Sequence, residues 1–376
     1  MDELAVPEKY LGSSARLFAC SGGHNGFSRD QATTNIFGGR KVMLSVARTV
    51  YGIAFAALAT AWMSTAMAQE AKHYRFAYDQ PKTTGYGIAG DIFAERLKEL
   101  SKGTMLIDQY PGAQLGQEPQ VLQLVKAGDV EFCISSSANA ATLTPQAGVM
   151  SLHFLFRDEN HLVKALADPK VAGAVRAMVE DTVQGAHVIA VITLGLRNMY
   201  SKKPIAKLED IKGLKVRVQA TPTEDLMFPV YGAQTVHMPF GSVYTSLQTG
   251  VVDVAENGVN VYQANKHYEV APVLSMTEHE ANNNLIWISD KLWKSLTDEQ
   301  KKWVQTAADE VSSKEPAKAI DLEHQSADKL KSLGVKIVPN VDKSGFQKLA
   351  DPYLDKLAAE LGPHAVKIKD LIKAVQ

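Results

Sequence analysis

Cysteine is scarce: Cys20 and Cys133 are the only two in 376 residues. That excludes a disulfide framework and any cysteine-based zinc cluster. Neither sign of charge dominates, with 40 Lys and Arg against 41 Asp and Glu, so the basic excess of a nucleic-acid-binding chain is missing. GxSxG, HExxH and a P-loop are all absent, which argues against the enzyme classes those motifs serve. His153, His161, His187 and His237 are scattered without the i, i+4 spacing of a helical zinc pair. What remains is an ordinary globular composition, 45% hydrophobic and 22% charged, in a chain long enough for two domains with separate cores.

The longest apolar stretch, TVYGIAFAALATAW at 49–62, is shorter than the roughly 20 residues of a comfortable membrane span. It follows Arg40, Lys41 and Arg48 and precedes Ala66-Met67-Ala68, a small-x-small site. The segment therefore reads as a secretory signal peptide cleaved after Ala68. Residues 1–39 show no period and little apolar character, and an initiation near Met43 is expected, with residues 1–42 not translated. Loss of 1–68 leaves 34 basic against 37 acidic residues.

Beyond the signal, strand and helix patterns alternate. HYRFAYD reads as a strand turning at Pro81, and Ile88, Ile92, Phe93, Leu97 and Leu100 fall at helical spacing. MLIDQYP, a helix closed by Gly128 and the strand FCISS follow. Such alternation predicts an α/β fold with a largely parallel sheet, whose ligands bind beyond the carboxyl ends of the strands. Asp79, Glu118 and Ser136 fall there. Asp79 is equally a turn residue before Pro81, Glu118 equally a complement to a helix dipole, and Ser136 equally a cap. Two helices meet near Asp168-Pro169. Thr297 and Gln300 form a capping box for a helical pattern running to Leu333, which Pro316 is expected to kink or divide.

One stretch, 195–258, concentrates the chemistry. Arg197 and Arg217 lie in or beside strand-like runs, VIAVITLGLRNMYS and LKVRVQA. In the second, Leu214, Val216 and Val218 alternate with Lys215, Arg217 and Gln219. The planar guanidinium fork matches a carboxylate in two-pronged fashion. Phe240 follows Pro239 in a loop, and Asn257-Gly258 is by itself a good turn signal.

The run GLR, KPI and DIKGLKVRV, followed by PFGSVYTSLQTGVVDVAEN, resembles the DctP-type solute-binding proteins of TRAP transporters, and the resemblance extends from about Tyr74 to the C-terminus. It implies a periplasmic receptor for a small organic acid, working with the integral-membrane TRAP permease subunits. It also implies a two-lobed periplasmic-binding-protein fold, each lobe a mixed, largely parallel sheet flanked by helices, with a long helix spanning both. Lobe I is expected to comprise 69–194 and 282–315, and lobe II 195–281 and 316–376. In the family, the arginine matching Arg217 grips the ligand carboxylate, and one at the place of Arg197 often assists. Asn257 matches a ligand-contacting asparagine. Asp79, Glu118 and Ser136 stand at positions lining the cleft from the first lobe, Phe240 at a contact position in the second. His279 is expected to reach the cleft.

Phe240, Tyr78, Tyr86 and Tyr244 together point to an aromatic wall and a monocarboxylate, aromatic or 2-oxo. Ser136 stands where sialic-acid-binding relatives carry an acidic residue, which argues against a large many-hydroxyl sugar acid. No motif calls for a cofactor or a metal, and a monomer is expected. Competing classes are a receptor of another transporter or sensor system, and an enzyme on the same shell.

Overall fold

The computed structural model describes residues 70–219 and 221–376; the signal peptide and the proposed start at Met43 lie outside the described residues. Strand β1 (Lys72–Ala77) leads through the helix Gly85–Leu100 to β2 (Met105–Tyr110), then through the helix Glu118–Ala127 to β3 (Phe132–Ser136). β2, β1 and β3 pair in parallel. Two helices, Glu159–Ala167 and Pro169–Thr182, join at Asp168. The Asp168 carboxylate accepts from the Lys170 N–H and so starts the second helix. A second parallel set consists of β5 (Lys215–Val218), β6 (Gln234–His237) and β7 (Val254–Asn257).

Two long strands make one sheet of these halves. β4 (Ala186–Ser201) and β8 (Val273–Ser289) pair antiparallel along their whole length, from Ala186 opposite Ser289 to Ser201 opposite Val273. β3 flanks one end of this ribbon and β7 the other, giving the order β2-β1-β3-β8-β4-β7-β5-β6. The short β9 (Lys336–Val338) pairs with the start of β8. The architecture is thus the expected mixed α/β, with the halves joined through the backbone of a single sheet. The ribbon's register shifts between Thr193 and Leu196 and again between Arg197 and Met199. Gly195 sits in the first shift with φ +82, and a Cβ there would lie 2.7 Å from Glu323 Cγ. Only glycine accepts both demands.

The long helix runs unbroken from Asp298 to Ser332, and Pro316 does not divide it. At 1.5 Å per residue it is about 52 Å long. Thr297 caps its start, its hydroxyl accepting from the Gln300 N–H at 3.2 Å while the Gln300 side chain takes the Thr297 N–H at 2.9 Å. Its buried face satisfies backbone donors of both halves. Ser312 Oγ accepts from the Val191 N–H at 3.1 Å and Glu315 from the Thr193 N–H at 3.1 Å. Glu323 accepts from the N–H groups of Val259 and Asn260. Donors freed by the irregular ribbon and by the start of the helix Val259–Ala264 are thereby paired rather than buried alone. The terminal helices Ser344–Leu361 and Pro363–Ala374 bridge the halves. Phe346 packs edge-on to Tyr231, and the last helix lies against Pro169–Thr182.

Candidate functional site

Alternation along β5 turns Val216 and Val218 into the core and sends Arg217 to the other face. Arg217 is only 2% exposed. Its Nε and Nη2 donate to the Met238 carbonyl at 3.2 and 2.9 Å, and its guanidinium lies over the Phe240 ring, 5.9 Å from the centroid. No carboxylate among the described residues comes within ion-pair distance of it. Burial, with the Arg197 charge nearby, pulls its pKa below the ordinary arginine value.

Arg197 is equally buried but paired with carboxylates. It stands opposite Glu280 on β8. Glu256 clasps it through both carboxylate oxygens and its own carbonyl, and Glu280 lies 3.5 Å from Nε. Burial works against its charge, but Glu256 and Glu280 outweigh burial and hold its pKa up. Glu256 thus takes the Nε–Nη2 edge of Arg197, and Nη1 is left for the assisting contact expected from sequence. His279 does not reach the cleft, contrary to expectation. It is wholly buried, its ring facing His153 at 5.0 Å and Phe228 at 5.9 Å between centroids.

On the first half, Glu118 ties three elements together. It accepts from Tyr86 Oη at 2.8 Å, from the Ser136 N–H and Oγ at 2.9 and 2.8 Å, and from Asn139 Nδ2 at 2.6 Å. Its buried oxygens are thus committed within the protein, so it shapes the cleft rather than offering a bare charge to it. Ser136 also caps the short helix Ser137–Ala140. Asp79 keeps one protein partner, Gln80 Nε2 at 3.1 Å. Burial, then the Glu118 charge, pushes the Asp79 pKa well up, with Arg217 opposing.

Among the hydrogen bonds that cross between the halves are three neutral ones. Gln219 Nε2 donates to Ser136 Oγ at 2.8 Å, the Gly241 N–H to Gln117 Oε1 at 3.0 Å, and Asn265 Nδ2 to Gln80 Oε1 at 3.0 Å. Beside them lies a cavity of about 290 Å³ lined by Asp79, Pro81, Gln117, Phe240, Tyr244 and His267, among others. Ligand pockets begin near 300 Å³, so a monosaccharide-sized molecule suits it. His267 stacks on Phe240 at 5.4 Å and bonds Tyr200 Oη through Nδ1 at 2.8 Å. Burial, with Arg217 adding, lowers its pKa to about 3, so it is neutral there.

Asn257, at the end of β7, accepts from Asn282 Nδ2 at 2.6 Å and from the Gly258 N–H at 3.0 Å. Its own Nδ2 has no partner among the described residues. Gly258 follows because a Cβ there would lie 2.1 Å from the Leu194 carbonyl. The structure thus gathers Asp79 and Phe240 about the cavity with Arg217 alongside, places Glu118 and Ser136 in its supporting network, and leaves Arg197 and His279 outside its lining. Tyr78 and Tyr86 are core residues, stacked edge-on at 5.9 Å, and of the expected aromatic wall Phe240 and Tyr244 remain. Gln80, Gln117, Asn265 and His267 escaped sequence reasoning. Gln219 did carry a signal, since it shares the polar face of its strand with Arg217.

A cleft between two halves of a shared sheet, closed by neutral amides around an unmatched guanidinium, defines a solute receptor. The sequence matches "Bacterial extracellular solute-binding protein, family 7" (DctP) over residues 76–361, and the chain belongs to this family. The 2,3-diketo-L-gulonate-binding periplasmic protein YiaO of Escherichia coli K12 is 30% identical over 86% of this chain and 97% of its own. A TRAP periplasmic solute-binding protein of Xanthobacter autotrophicus Py2, solved with bound β-D-galacturonate, is 31% identical. It superposes with a TM-score of 0.74 over 81% of this chain and all of that one. Another, from Pseudomonas putida F1 with bound D-glucuronate, is 28% identical with a TM-score of 0.75, covering 81% and 98%. The family and these neighbours are extracytoplasmic receptors, not enzymes.

Proposed function

We propose that this receptor takes a sugar acid, a hexuronate or aldonate with one carboxylate, and presents it to TRAP permease subunits. The observation carrying this reading is Arg217, a buried cation without a carboxylate among the described residues, set beside a cavity of monosaccharide size. An anion entering such a site must recover its lost hydration through a charge partner and hydrogen bonds. Arg217 offers both in a single fork. Asp79 and the cavity's amide side chains, Gln117 and Asn265, suit hydroxyl groups, which fits the uronates held by the relatives better than an aromatic or 2-oxo acid. The Ser136 argument against a polyhydroxylated ligand loses its force, because that hydroxyl is already engaged by Glu118 and Gln219.

The lobes we infer are divided where β4 and β8 cross, near Leu194 and Ala281, with the long helix serving both. Asn257 Nδ2 adds a neutral donor to the ligand, and Arg197 assists through Nη1 while its other edge fixes Glu256. Calorimetry of the purified receptor against D-galacturonate, D-glucuronate, D-galactonate and a set of 2-oxo monocarboxylates tests the reading. Micromolar or tighter binding of a sugar acid is expected, and binding confined to the 2-oxo acids overturns it.

A further inference from the structure

Around Arg197 the fold buries His153, His279, Glu224, Glu256 and Glu280, in contact through His153–Glu224, Arg197–Glu256, Arg197–Glu280 and His279–Glu256. We propose that His153, His279 and Glu280 form a site for one divalent transition ion such as Zn²⁺, with Glu224 beside it. Donor atoms of the first three lie within 4.8 Å of one another. Two imidazoles and a carboxylate form a set that zinc accepts, with bonds of about 2.0–2.2 Å. Closing on an ion asks each side chain to move by less than about 1 Å, given those bond lengths.

Two buried imidazole nitrogens there, Nε2 of His153 and Nε2 of His279, have no hydrogen-bond partner among the described residues, while the Glu224 and Glu280 carboxyls lie within hydrogen-bond reach of each other. Natural interiors rarely leave such atoms unpaired. Each histidine is held through its other nitrogen. His153 Nδ1 bonds Tyr231 Oη at 3.0 Å, and His279 Nδ1 bonds Thr277 Oγ1 at 2.8 Å. Outer partners of this kind orient metal-binding imidazoles and leave Nε2 for the ion. Glu224 Oε1 lies 3.6 Å from His153 Nε2, close enough to serve as a fourth donor.

The backbone is built to the same end. Phe154, next to His153, has φ +57, and Glu278, next to His279, has φ +45. Both are costly conformations for residues with a Cβ. The Phe154 N–H donates to the His279 carbonyl at 2.8 Å, which pins the turn carrying one histidine to the strand carrying the other. Burial and their mutual repulsion push the Glu224 and Glu280 carboxyls up, so an ion bound there would displace protons from them. Arg217 stands outside this set, facing the cleft. The ion would brace Glu256, and Glu256 directly precedes Asn257. The residues were invisible as a motif because 126 positions separate the two histidines.

The test uses the full chain, first assayed for metal as purified by plasma mass spectrometry. It is then stripped with dipicolinate, dialysed and titrated with Zn²⁺ and Co²⁺. One equivalent of zinc, a melting temperature raised by several degrees and visible cobalt absorption bands are expected. Glu280→Gln, which keeps the shape of the side chain, should lose most of the zinc affinity, and His153→Gln with His279→Gln all of it. The exposed control His73→Gln should change nothing. Absence of both retained metal and thermal stabilisation in the wild-type chain overturns the proposal, as does an undiminished equivalent of zinc in a folded Glu280→Gln or double-histidine protein. Should neither variant fold, the wild-type titration beside His73→Gln decides alone. Sugar-acid binding is measured separately, so the two readings fail independently.

Discussion

Arg197 and Arg217 are both 2% exposed and stand 20 residues apart, yet their surroundings are opposite. Around Arg197 the protein supplies two carboxylates and a carbonyl, and its charge is matched within the fold. Around Arg217 it supplies one carbonyl and the face of a phenylalanine. Burying a charge costs several kcal/mol unless a partner repays it. The first site has that partner built in. The second leaves the role to a molecule from outside. Residue type and burial do not separate the two arginines; the count of nearby carboxylates does.

The sharpest way to break this contrast is Arg217→Ala. Removing the partner of a buried carboxylate costs on the order of 3–5 kcal/mol, several hundredfold or more in affinity. Calorimetry should therefore show sugar-acid binding nearly abolished, while the unliganded melting temperature holds or rises. Arg197→Ala should divide its effect the other way. Glu256 and Glu280 would be stranded in the interior, at a cost of about 3–5 kcal/mol in stability. Denaturant unfolding reads this loss, and affinity should suffer less than in the Arg217 variant. A stable Arg197→Ala protein that has lost all binding would invert the comparison.

A subtler probe is pH. The His267 imidazole titrates near 3 in the fold against an ordinary 6.5. Between these values the unfolded chain takes up a proton that the folded chain refuses. The His267 contribution to stability is therefore intact above pH 6.5 and is lost as pH falls toward 3, by up to about 1.4 kcal/mol per unit. Melting curves from pH 6.5 to 5 should fall less steeply for His267→Asn than for the wild type. Smallest of all, Gln219→Ala removes one neutral hydrogen bond across the cleft. About 0.5–1.5 kcal/mol is at stake, a two- to tenfold loss of affinity, and unchanged binding would show that this contact contributes nothing to closure.

Much of the fold was legible in local pattern. The Thr297–Gln300 capping box, the Asp168 junction and the alternation around Arg217 are short-range signals, and each appears where expected. Pro316 does not divide its helix, because an interior proline makes a break only when the neighbouring packing lets the helix yield. Here Ser312 and Glu315 hold the preceding turn to β4. The partnership of Arg197 with Glu256 was hidden for a different reason. It joins strands 59 residues apart, and no spacing rule distinguishes it from an exposed arginine. Asn265 and His267 sit in a short irregular turn whose sequence, NKHYE, carries no period.

The three crossing contacts, Gln219–Ser136, Gly241–Gln117 and Asn265–Gln80, are all uncharged. Parting the halves along these three contacts breaks no ion pair, the His324–Glu159 and His364–Asp181 pairs lying elsewhere, so the proposed closure gives way there at little expense. On the proposed reading the firm shutter is the cargo itself, bonded to Arg217 on one side and to the amides opposite on the other. A permease that loosened the grip on the carboxylate would release the whole clasp at once, with no separate lock to undo.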